Sequence, residues 1–404
     1  NLGGLVARDL VDNNLFNLLG DDFYSVGFSQ NVWANNLLSQ FNSKLNLKIL
    51  PSAASSKKIR TLLSSFIPDD ELVSYYAFDE YLVRTHHVAN PIPGSISFGF
   101  LDSAVAHMQE KSETPTEDFP YGRPSNNYYF YYDNKTVFME IAQTIERLNS
   151  KSPFVGYFHF YSPHSPYTPH KEFVGIFEDM PLAKKPRHKL SYMKYPQREL
   201  KELRDRYDEY IANVDAEFGN LLDFLERTGI LDNSYLILAS DHGEVFERGE
   251  AGHGTALLYE PVIRTPLIIS APGQTQRVDI YSPTSNADLV PTLLHNTGAK
   301  IPNNLDGRIL PGLGGIDDFE RAIISVEAKE NSSFHPLEKA TISLNKENYK
   351  LIYYSGYEKY NQRFELFNLH DDPSELTNLF DIDTITASQM RDEMLTALDT
   401  ANQP

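Results

Sequence analysis

The chain contains no cysteine among its 404 residues. This absence excludes disulfide bonds, thiolate metal sites and a cysteine nucleophile within these residues. It also removes the usual indication of whether a protein works in an oxidising or a reducing compartment. Chemistry that depends on a thiol is therefore excluded from this part of the protein.

Basic residues are scarce. Lys and Arg number 36 against 55 Asp and Glu, which gives a formal net charge of −19. No stretch gathers enough basic residues to track the phosphates of a nucleic acid, so nucleic acid is not an expected partner. An anionic substrate would need local help from a metal ion or clustered histidines, because the long-range field repels it.

Long apolar runs are also missing. A membrane-spanning helix needs roughly 18 consecutive apolar residues, and no such run occurs, so we expect no membrane span in this chain. The hydrophobic share of 41% and the charged share of 23% are typical of a globular protein. Because domains usually contain about 50 to 250 residues, we expect a large α/β body with a smaller appendage.

Helices and strands alternate over the first three quarters of the chain. Residues Thr136 to Leu148 have apolar side chains at helical spacing and lead into the aromatic run from Phe154 to Phe160, which is typical of a strand buried on both faces. The strongest helical pattern runs from Glu199 to Arg227, and a buried strand is predicted from Tyr235 to Ala239. This alternation predicts an α/β fold with a mostly parallel sheet and helices on both faces.

The pattern changes after Arg321. Four strand patterns follow without intervening helices, and a helical pattern ends the chain: 322–326, 339–344, 349–354, 363–368 and 387–398. This arrangement predicts a small antiparallel sheet with a terminal helix. We therefore expect a main α/β domain over residues 1–316 and a small antiparallel α+β subdomain over residues 317–404.

Polar residues follow two of the predicted strands. In open parallel sheets, ligands bind beyond the carboxyl ends of the strands, which draws attention to His164 and to the pair Asp241 and His242. An adjacent carboxylate and imidazole, followed by Gly243 where the backbone must turn sharply, can converge on one cation. The alternative is that Asp241 caps a following helix and His242 is a surface residue.

His253 lies between two glycines, Gly252 and Gly254, which leave room for a ligand to approach. It is a candidate either for a second metal ligand or for a contact with an anionic oxygen. The alternative is a solvated histidine in a glycine-rich loop.

Several longer motifs follow one another along the chain. They are Ser162-Pro-His-Ser-Pro-Tyr167, Tyr207–Asp215, Leu236-Ile-Leu-Ala-Ser-Asp-His-Gly243, Ile263–Ile269, Asp288–Leu294 and Phe364–Leu379. In order and spacing these motifs resemble the sulfatase family of the alkaline phosphatase superfamily.

The resemblance implies roles for four residues. Asp241 and His242 correspond to ligands of a divalent cation, usually Ca²⁺ in sulfatases and Mn²⁺ or Zn²⁺ in phosphate-handling relatives. His164 and His253 correspond to residues that contact the sulfate or phosphate group, and one of them is a candidate to protonate the leaving alcohol. The activity implied is metal-dependent hydrolysis of an organic sulfate ester on a small molecule or a carbohydrate.

The chain departs from the family pattern at its beginning. The family's nucleophile lies in a Cys/Ser-x-Pro-x-Arg stretch, near further acidic metal ligands, and neither feature occurs here. Because residues 15–28 resemble the unit that follows the nucleophile, we expect the nucleophile to precede Asn1 and the chain alone to be inactive. The family's lysine near this unit is also not evident, and Gln30-Asn31 lies near that place.

These departures leave alternatives open. A phosphodiesterase, a phosphonate monoester hydrolase or a phospho-group transferase of the same superfamily would use the same frame with a Thr or Ser nucleophile. A non-catalytic binding protein on this fold is a further alternative. We expect the loops 31–51 and 168–196 to determine the specificity of the pocket.

Overall fold

The structure is a computed structural model. It describes residues 14–31, 34–35, 38, 41, 43–49, 115–124, 133–148, 153–328 and 337–401. The chain divides into two compact units. Among the described residues, the N-terminal unit comprises those between 14 and 180 and Glu202–Ser234, and the C-terminal unit comprises Pro181–Lys201 and those between 235 and 401.

The N-terminal unit contains a parallel sheet. Its elements are α1 (Leu15–Leu19), β1 (Tyr24–Ser29), β2 (Leu47–Ile49), α2 (Asn134–Leu148), β3 (Phe154–His159) and, from Glu202 onward, α3 (Gln197–Arg227). The strand β1 lies between β2 and β3 and is parallel to both, with Gly27 opposite Lys48 and Tyr157. Val26 and Phe28 on β1 are fully buried, as the central strand of a covered parallel sheet requires.

The helix α2 packs an apolar stripe into the core of this unit. The buried side chains recur at helical spacing: Val137, Phe138, Ile141, Ala142, Ile145 and Leu148. Phe138 stacks on Phe160 with the ring centroids 4.3 Å apart. Burying each large apolar side chain contributes roughly 1.5–3 kcal/mol, so this stripe explains why the predicted helix forms.

The strand β3 differs from its prediction. It is present at the predicted place, but its burial on both faces is wrong, because Tyr157 is 43% exposed. Among the described strands of this sheet, β3 pairs only with β1 and therefore lies at an edge.

The long helix α3 is confirmed. It begins two residues before the predicted start and ends at Arg227. Gly229 follows with a φ of 70°, the left-handed conformation that glycine adopts most readily after a helix.

The C-terminal unit contains two sheets. Its elements are β4 (Leu236–Ala239), α4 (Glu260–Ile263), β5 (Leu267–Ser270), α5 (Leu289–Asn296), β6 (Ile323–Glu327), β7 (Ala340–Lys346), β8 (Tyr349–Ser355), β9 (Arg363–Asn368) and α6 (Thr384–Ala401). The strands β4 and β5 form an antiparallel pair, with Ile237 opposite Ile269. The predicted burial of the strand 235–239 is also wrong, because β4 is only partly buried and its last residue, Ala239, is exposed.

The second sheet is antiparallel in the order β6-β7-β8-β9. One face packs against α6 through a core of Ala340, Ile342, Leu344, Leu351, Leu366, Ala387, Met390 and Met394. The other face buries Ile352, Tyr354 and Phe367 with Leu257 and Tyr259. The predicted fold class, an α/β body with a C-terminal antiparallel sheet and a terminal helix, is confirmed, whereas the domain boundary near Ile316 stays a prediction.

No helix among the described residues combines the length and apolar character that crossing a bilayer requires.

Candidate active site and metal centre

The turn after β4 carries Asp241 and His242, and Gly243 makes that turn possible. The Gly243 N–H donates to the Val262 carbonyl oxygen at 2.7 Å. A Cβ atom at position 243 would lie 2.2 Å from the Pro261 carbonyl oxygen. Because such a contact is shorter than van der Waals separation allows, only glycine fits without movement of the backbone.

Three hydrogen bonds hold this turn in shape. The Ser240 hydroxyl donates to the His242 carbonyl oxygen at 2.7 Å, and the Asn286 amide donates to the Ser240 carbonyl oxygen at 2.8 Å. The His242 N–H donates to Asp241 Oδ1 at 3.0 Å. The two candidate ligands are therefore placed by local backbone contacts and by Asn286.

The segment that supplies Asn286 is held by a buried carboxylate, Asp288. Asp288 is fully buried and accepts two hydrogen bonds of 2.7 Å from the Arg321 guanidinium. It also accepts the N–H groups of Ser285 and Arg308, both at 2.8 Å. Burial alone would raise the pKa of the Asp288 carboxyl, but these bonds outweigh burial and hold the pKa below its usual range.

Asp241 and His242 have the geometry of two ligands of one cation. His242 Nδ1 lies 3.0 Å from the Gly243 carbonyl oxygen and donates to it, so that Nε2 carries the lone pair. Nε2 lies 3.7 Å from Asp241 Oδ2, and the side chains are 31% and 66% exposed. Ligand atoms bound at about 2.0–2.4 Å from one ion can be this far apart, so a carboxylate oxygen and an imidazole nitrogen fit a divalent cation here.

The alternative role of Asp241 as a helix cap does not fit the structure. The chain contains no helix between β4 and α4, which begins at Glu260. Asp241 therefore does not cap a following helix.

His253 is held by Glu244, a residue that sequence reasoning missed. His253 Nδ1 donates to Glu244 Oε1 at 2.7 Å, and the Glu244 side chain is only 4% exposed. The His253 ring also stacks on His242 with a centroid separation of 3.8 Å and an interplanar angle of 27°. The candidate metal ligand and the candidate anion contact are thus neighbours in one unit.

A narrow loop connects Glu244 with His253. Val245 and Gly252 pair across its base through two backbone hydrogen bonds of 3.1 and 2.9 Å. Gly252 has a φ of 92°, which glycine adopts without strain. The position of Glu244 directly after Asp-His-Gly was the only sequence signal for its role, and its burial depends on this loop.

His164 lies in the N-terminal unit, beyond the end of β3. Its Nδ1 donates to the Ser165 carbonyl oxygen at 2.8 Å, and its ring lies 4.5 Å from that of Tyr161. The neighbouring Ser162 hydroxyl bonds to Asn134 at 2.8 Å and to Tyr210 at 2.7 Å, and all three residues are buried. The loop that carries His164 is therefore attached to α2 and α3.

The ends of β1 and β3 are tied to each other. Ser29 Oγ lies 2.9 Å from His159 Nδ1, and Gln30 Oε1 accepts the Tyr161 N–H at 2.9 Å. Gln30, which the sequence resemblance puts near an expected lysine position, is buried. Here it supports the backbone that leads to His164.

Two family models match the chain. The model described as Sulfatase matches residues 108–299. The model described as N-sulphoglucosamine sulphohydrolase, C-terminal, matches residues 249–403. The two matched ranges overlap, and between them they contain His164, Asp241, His242 and His253.

Individual proteins are similar over parts of the chain. Choline-sulfatase of Rhizobium meliloti is 27% identical over 294 residues, covering 65% of this chain and 55% of the relative. Arylsulfatase K of Bos taurus is 30% identical over 190 residues, covering 46% of this chain and 35% of the relative. The chain therefore spans about half the length, or less, of these curated relatives.

The fold is shared with a solved structure as well. The phosphonate monoester hydrolase of Agrobacterium radiobacter superposes with a TM-score of 0.61 at 18% identity, covering 96% of this chain and 80% of that one. At this identity the likeness shows a common alkaline phosphatase-like fold.

Proposed function

We propose that this protein, a member of the sulfatase family, hydrolyses organic sulfate esters with a divalent cation held by Asp241 and His242. One observation supports this most directly. A carboxylate and an imidazole nitrogen 3.7 Å apart stand beside a histidine whose ring is oriented by a buried carboxylate.

The proposed cation would stabilise negative charge on the sulfate oxygens and lower the pKa of the nucleophile. Ca²⁺ is the ion that the family resemblance favours. The imidazole of His242 is a better ligand for Mn²⁺ or Zn²⁺ than for Ca²⁺, so a comparison of these ions is part of the test.

His253 is the proposed partner of the anionic ester. Because Glu244 accepts from Nδ1, the tautomer and the orientation of the ring are fixed. In the neutral ring Nε2 therefore carries the lone pair, and in the imidazolium form it carries a second proton, which can be donated to a sulfate oxygen or to the leaving alcohol. Glu244 acts through His253 as a positioning residue.

We also propose, as a separate point, that His164 contacts an anionic ester group, which is the role that the family resemblance implies. The hydrogen bond from Nδ1 to the Ser165 carbonyl fixes the tautomer of this ring as well.

The nucleophile is proposed to come from outside these 404 residues. The chain offers no cysteine and no Cys/Ser-x-Pro-x-Arg stretch. We therefore expect little or no turnover of an aryl sulfate by the 404-residue chain, and sustained turnover would contradict this part of the proposal. For the protein with its nucleophile segment, aryl sulfate should be cleaved in preference to an aryl phosphodiester, and the reverse preference would overturn the assignment.

The metal site can be tested without catalysis. Titration calorimetry with Ca²⁺, Mn²⁺ and Zn²⁺ should detect binding to the chain, and Asp241→Ala and His242→Ala should each weaken it by at least about tenfold, since each removes a ligand. The adjacent exposed pair His370 and Asp371 provides matched controls, because His370→Ala and Asp371→Ala make the same changes in the turn that follows β9. Equal affinities in all four variants would exclude this metal site.

A further inference from the structure

A short stretch of the C-terminal unit has the opposite charge from the rest of the chain. Residues 184–195, here called the basic segment, contain five Lys or Arg residues and no Asp or Glu, whereas the whole chain carries a formal net charge of −19. The five are Lys184, Lys185, Arg187, Lys189 and Lys194. The segment forms no helix or strand.

The beginning of the basic segment is fixed to the antiparallel sheet by His188. The Leu190 N–H donates to His188 Nδ1 at 3.1 Å, so Nε2 carries the hydrogen that it donates to Glu365 Oε1, also at 3.1 Å. His188 is buried and stacks on Tyr354. This histidine is therefore an anchor and does not contribute to the exposed surface.

The end of the basic segment is fixed to the loop that leads to His253. The Ser191 hydroxyl donates to the Arg248 carbonyl at 2.7 Å, and the Tyr195 N–H donates to the Gly249 carbonyl at 3.2 Å. The Met193 N–H donates to Glu250 Oε1 at 2.9 Å. Since both ends are anchored, the charges between them are held in place without regular secondary structure.

Most of the positive charge faces solvent. Lys185 forms an ion pair with Glu247, with Nζ 2.6 Å from Oε2. Lys184, Lys189 and Lys194 are exposed and form no ion pair with any residue in the described part of the chain, and Arg187 is exposed while donating to the Ser191 carbonyl. Four cationic side chains are thus presented on a fixed backbone.

Apolar surface accompanies these charges. Tyr192 is 88% exposed and Met193 is 42% exposed. Tyr is enriched at binding surfaces because its ring has an apolar face and a polar hydroxyl group. Its flat face is suited to stacking on the apolar face of a sugar ring.

The basic segment is close to the candidate active site. Gly249, to which Tyr195 is bonded, precedes His253 by four residues. Four residues of chain span at most about 14 Å, which limits the distance between that anchor and His253. A polymeric ligand with its reacting group at His253 can therefore reach the basic segment.

We propose that the basic segment binds a sulfated polysaccharide, holding negatively charged groups of the polymer beyond the ester that reacts. This extends the proposed function, because it assigns the substrate to the class of polyanionic carbohydrates. The four exposed cations bind sulfate or carboxylate groups, and Tyr192 stacks on a sugar ring. Local positive charge also overcomes the repulsion that a net charge of −19 imposes on such a ligand.

The test measures retention on immobilised dextran sulfate at increasing salt, with no turnover required. The triple variant Lys184→Gln, Lys189→Gln, Lys194→Gln should lose at least about tenfold in affinity at low salt, and the salt dependence of its log affinity should become shallower by roughly two to three units. The matched control is Lys135→Gln, Lys300→Gln, Lys359→Gln, which removes three exposed lysines elsewhere and should bind as the unaltered chain does.

A further variant separates the ring from the charges. Tyr192→Ala should weaken binding to dextran sulfate without altering the salt dependence, because it removes stacking and leaves every charge. Equal loss in the two triple variants would overturn the proposal. Equal retention on polyglutamate, or equal binding to phosphatidylserine vesicles, would also overturn it, because either result would show attraction to negative charge irrespective of sugar.

Failure of this binding test is distinguishable from failure of the proposed function. A chain that binds Ca²⁺ or Mn²⁺ through Asp241 and His242 but ignores dextran sulfate retains its proposed chemistry and loses only the substrate class. A chain that binds dextran sulfate through these lysines but binds no divalent metal ion keeps the proposed substrate class and loses the proposed metal site.

Discussion

A single glycine determines where the candidate metal ligands lie. Gly243 is packed against the carbonyl of Pro261, and its N–H is bonded to Val262. Any side chain at this position would push the turn away from α4. Since Asp241 and His242 directly precede it, the two ligand atoms would move with the turn.

We therefore expect Gly243→Ala to be harmful in two ways. Forcing an extra methyl group into such a contact typically costs about 1–3 kcal/mol, which urea unfolding would detect. The displaced turn should also weaken cation binding in the calorimetric titration. Gly254→Ala is the control, because a Cβ atom at position 254 would meet nothing within 4 Å. Equal behaviour of the two variants would contradict the steric argument.

Individual site residues differed in how far the sequence could predict them. Asp241 and His242 stood out because they follow a strand pattern and precede Gly243, and His253 stood out because it lies between two glycines. Glu244 did not, because an acidic residue in a loop is ordinarily solvated. Its role depends on burial and on a partner nine residues away, and neither property can be deduced from spacing.

At the scale of elements, one buried carboxylate connects β9 with several other parts of the C-terminal unit. Glu365 accepts hydrogen bonds from His188 and from the hydroxyl groups of Tyr259, Tyr354 and Tyr360, at distances of 2.8–3.1 Å. Burial alone would raise the pKa of this carboxyl, but the hydrogen bonds, first among them that of His188, hold the pKa below its usual range.

The depressed pKa makes a prediction about acid stability. A carboxylate whose pKa is lower in the folded state stabilises the fold fully above its unfolded pKa of 4.5 and loses this effect as the pH falls through the folded pKa. Glu365→Gln should therefore lower the free energy of unfolding by about 1.5–3 kcal/mol near pH 7, and by less at acid pH below that window. Urea unfolding at the two pH values measures the difference.

Glu358→Gln provides the comparison for this experiment, since Glu358 is exposed in the same unit. It should change stability little at either pH. If Glu365→Gln lowered the free energy of unfolding by the same amount at both pH values, the charged form of Glu365 would not be what stabilises this network.

Elements were predicted well where a pattern is local. The amphipathic stripe of α2, the length of α3 and the four strands β6 to β9 all follow from spacing, and β9 has the predicted bounds. The burial of β3 and β4 was not predictable in this way. Their apolar runs indicate strands that are covered on both faces, but the cover depends on which elements pair with them in space.

At the scale of the whole molecule, the net charge did not indicate how the positive and negative charges are distributed along the chain. A net charge of −19 suggests a surface hostile to anions. The basic segment is only twelve residues long, and its acid-free composition disappears in the total. Sequence analysis predicted that the loop 168–196 contributes to specificity, but only the anchors at His188, Ser191 and Tyr195 show that its charges are held in one place.

The loop between Glu244 and His253 has a consequence for how such a protein can change over evolutionary time. Its base orients the histidine, whereas its tip, at residues 248–250, carries the anchors of the basic segment. Substitutions or insertions between those anchors would alter the ligand preference of the basic segment, while the side chains of the candidate active site would remain in position. New preferences can therefore arise in residues 184–195 by small steps, without an intermediate in which the chemistry is lost.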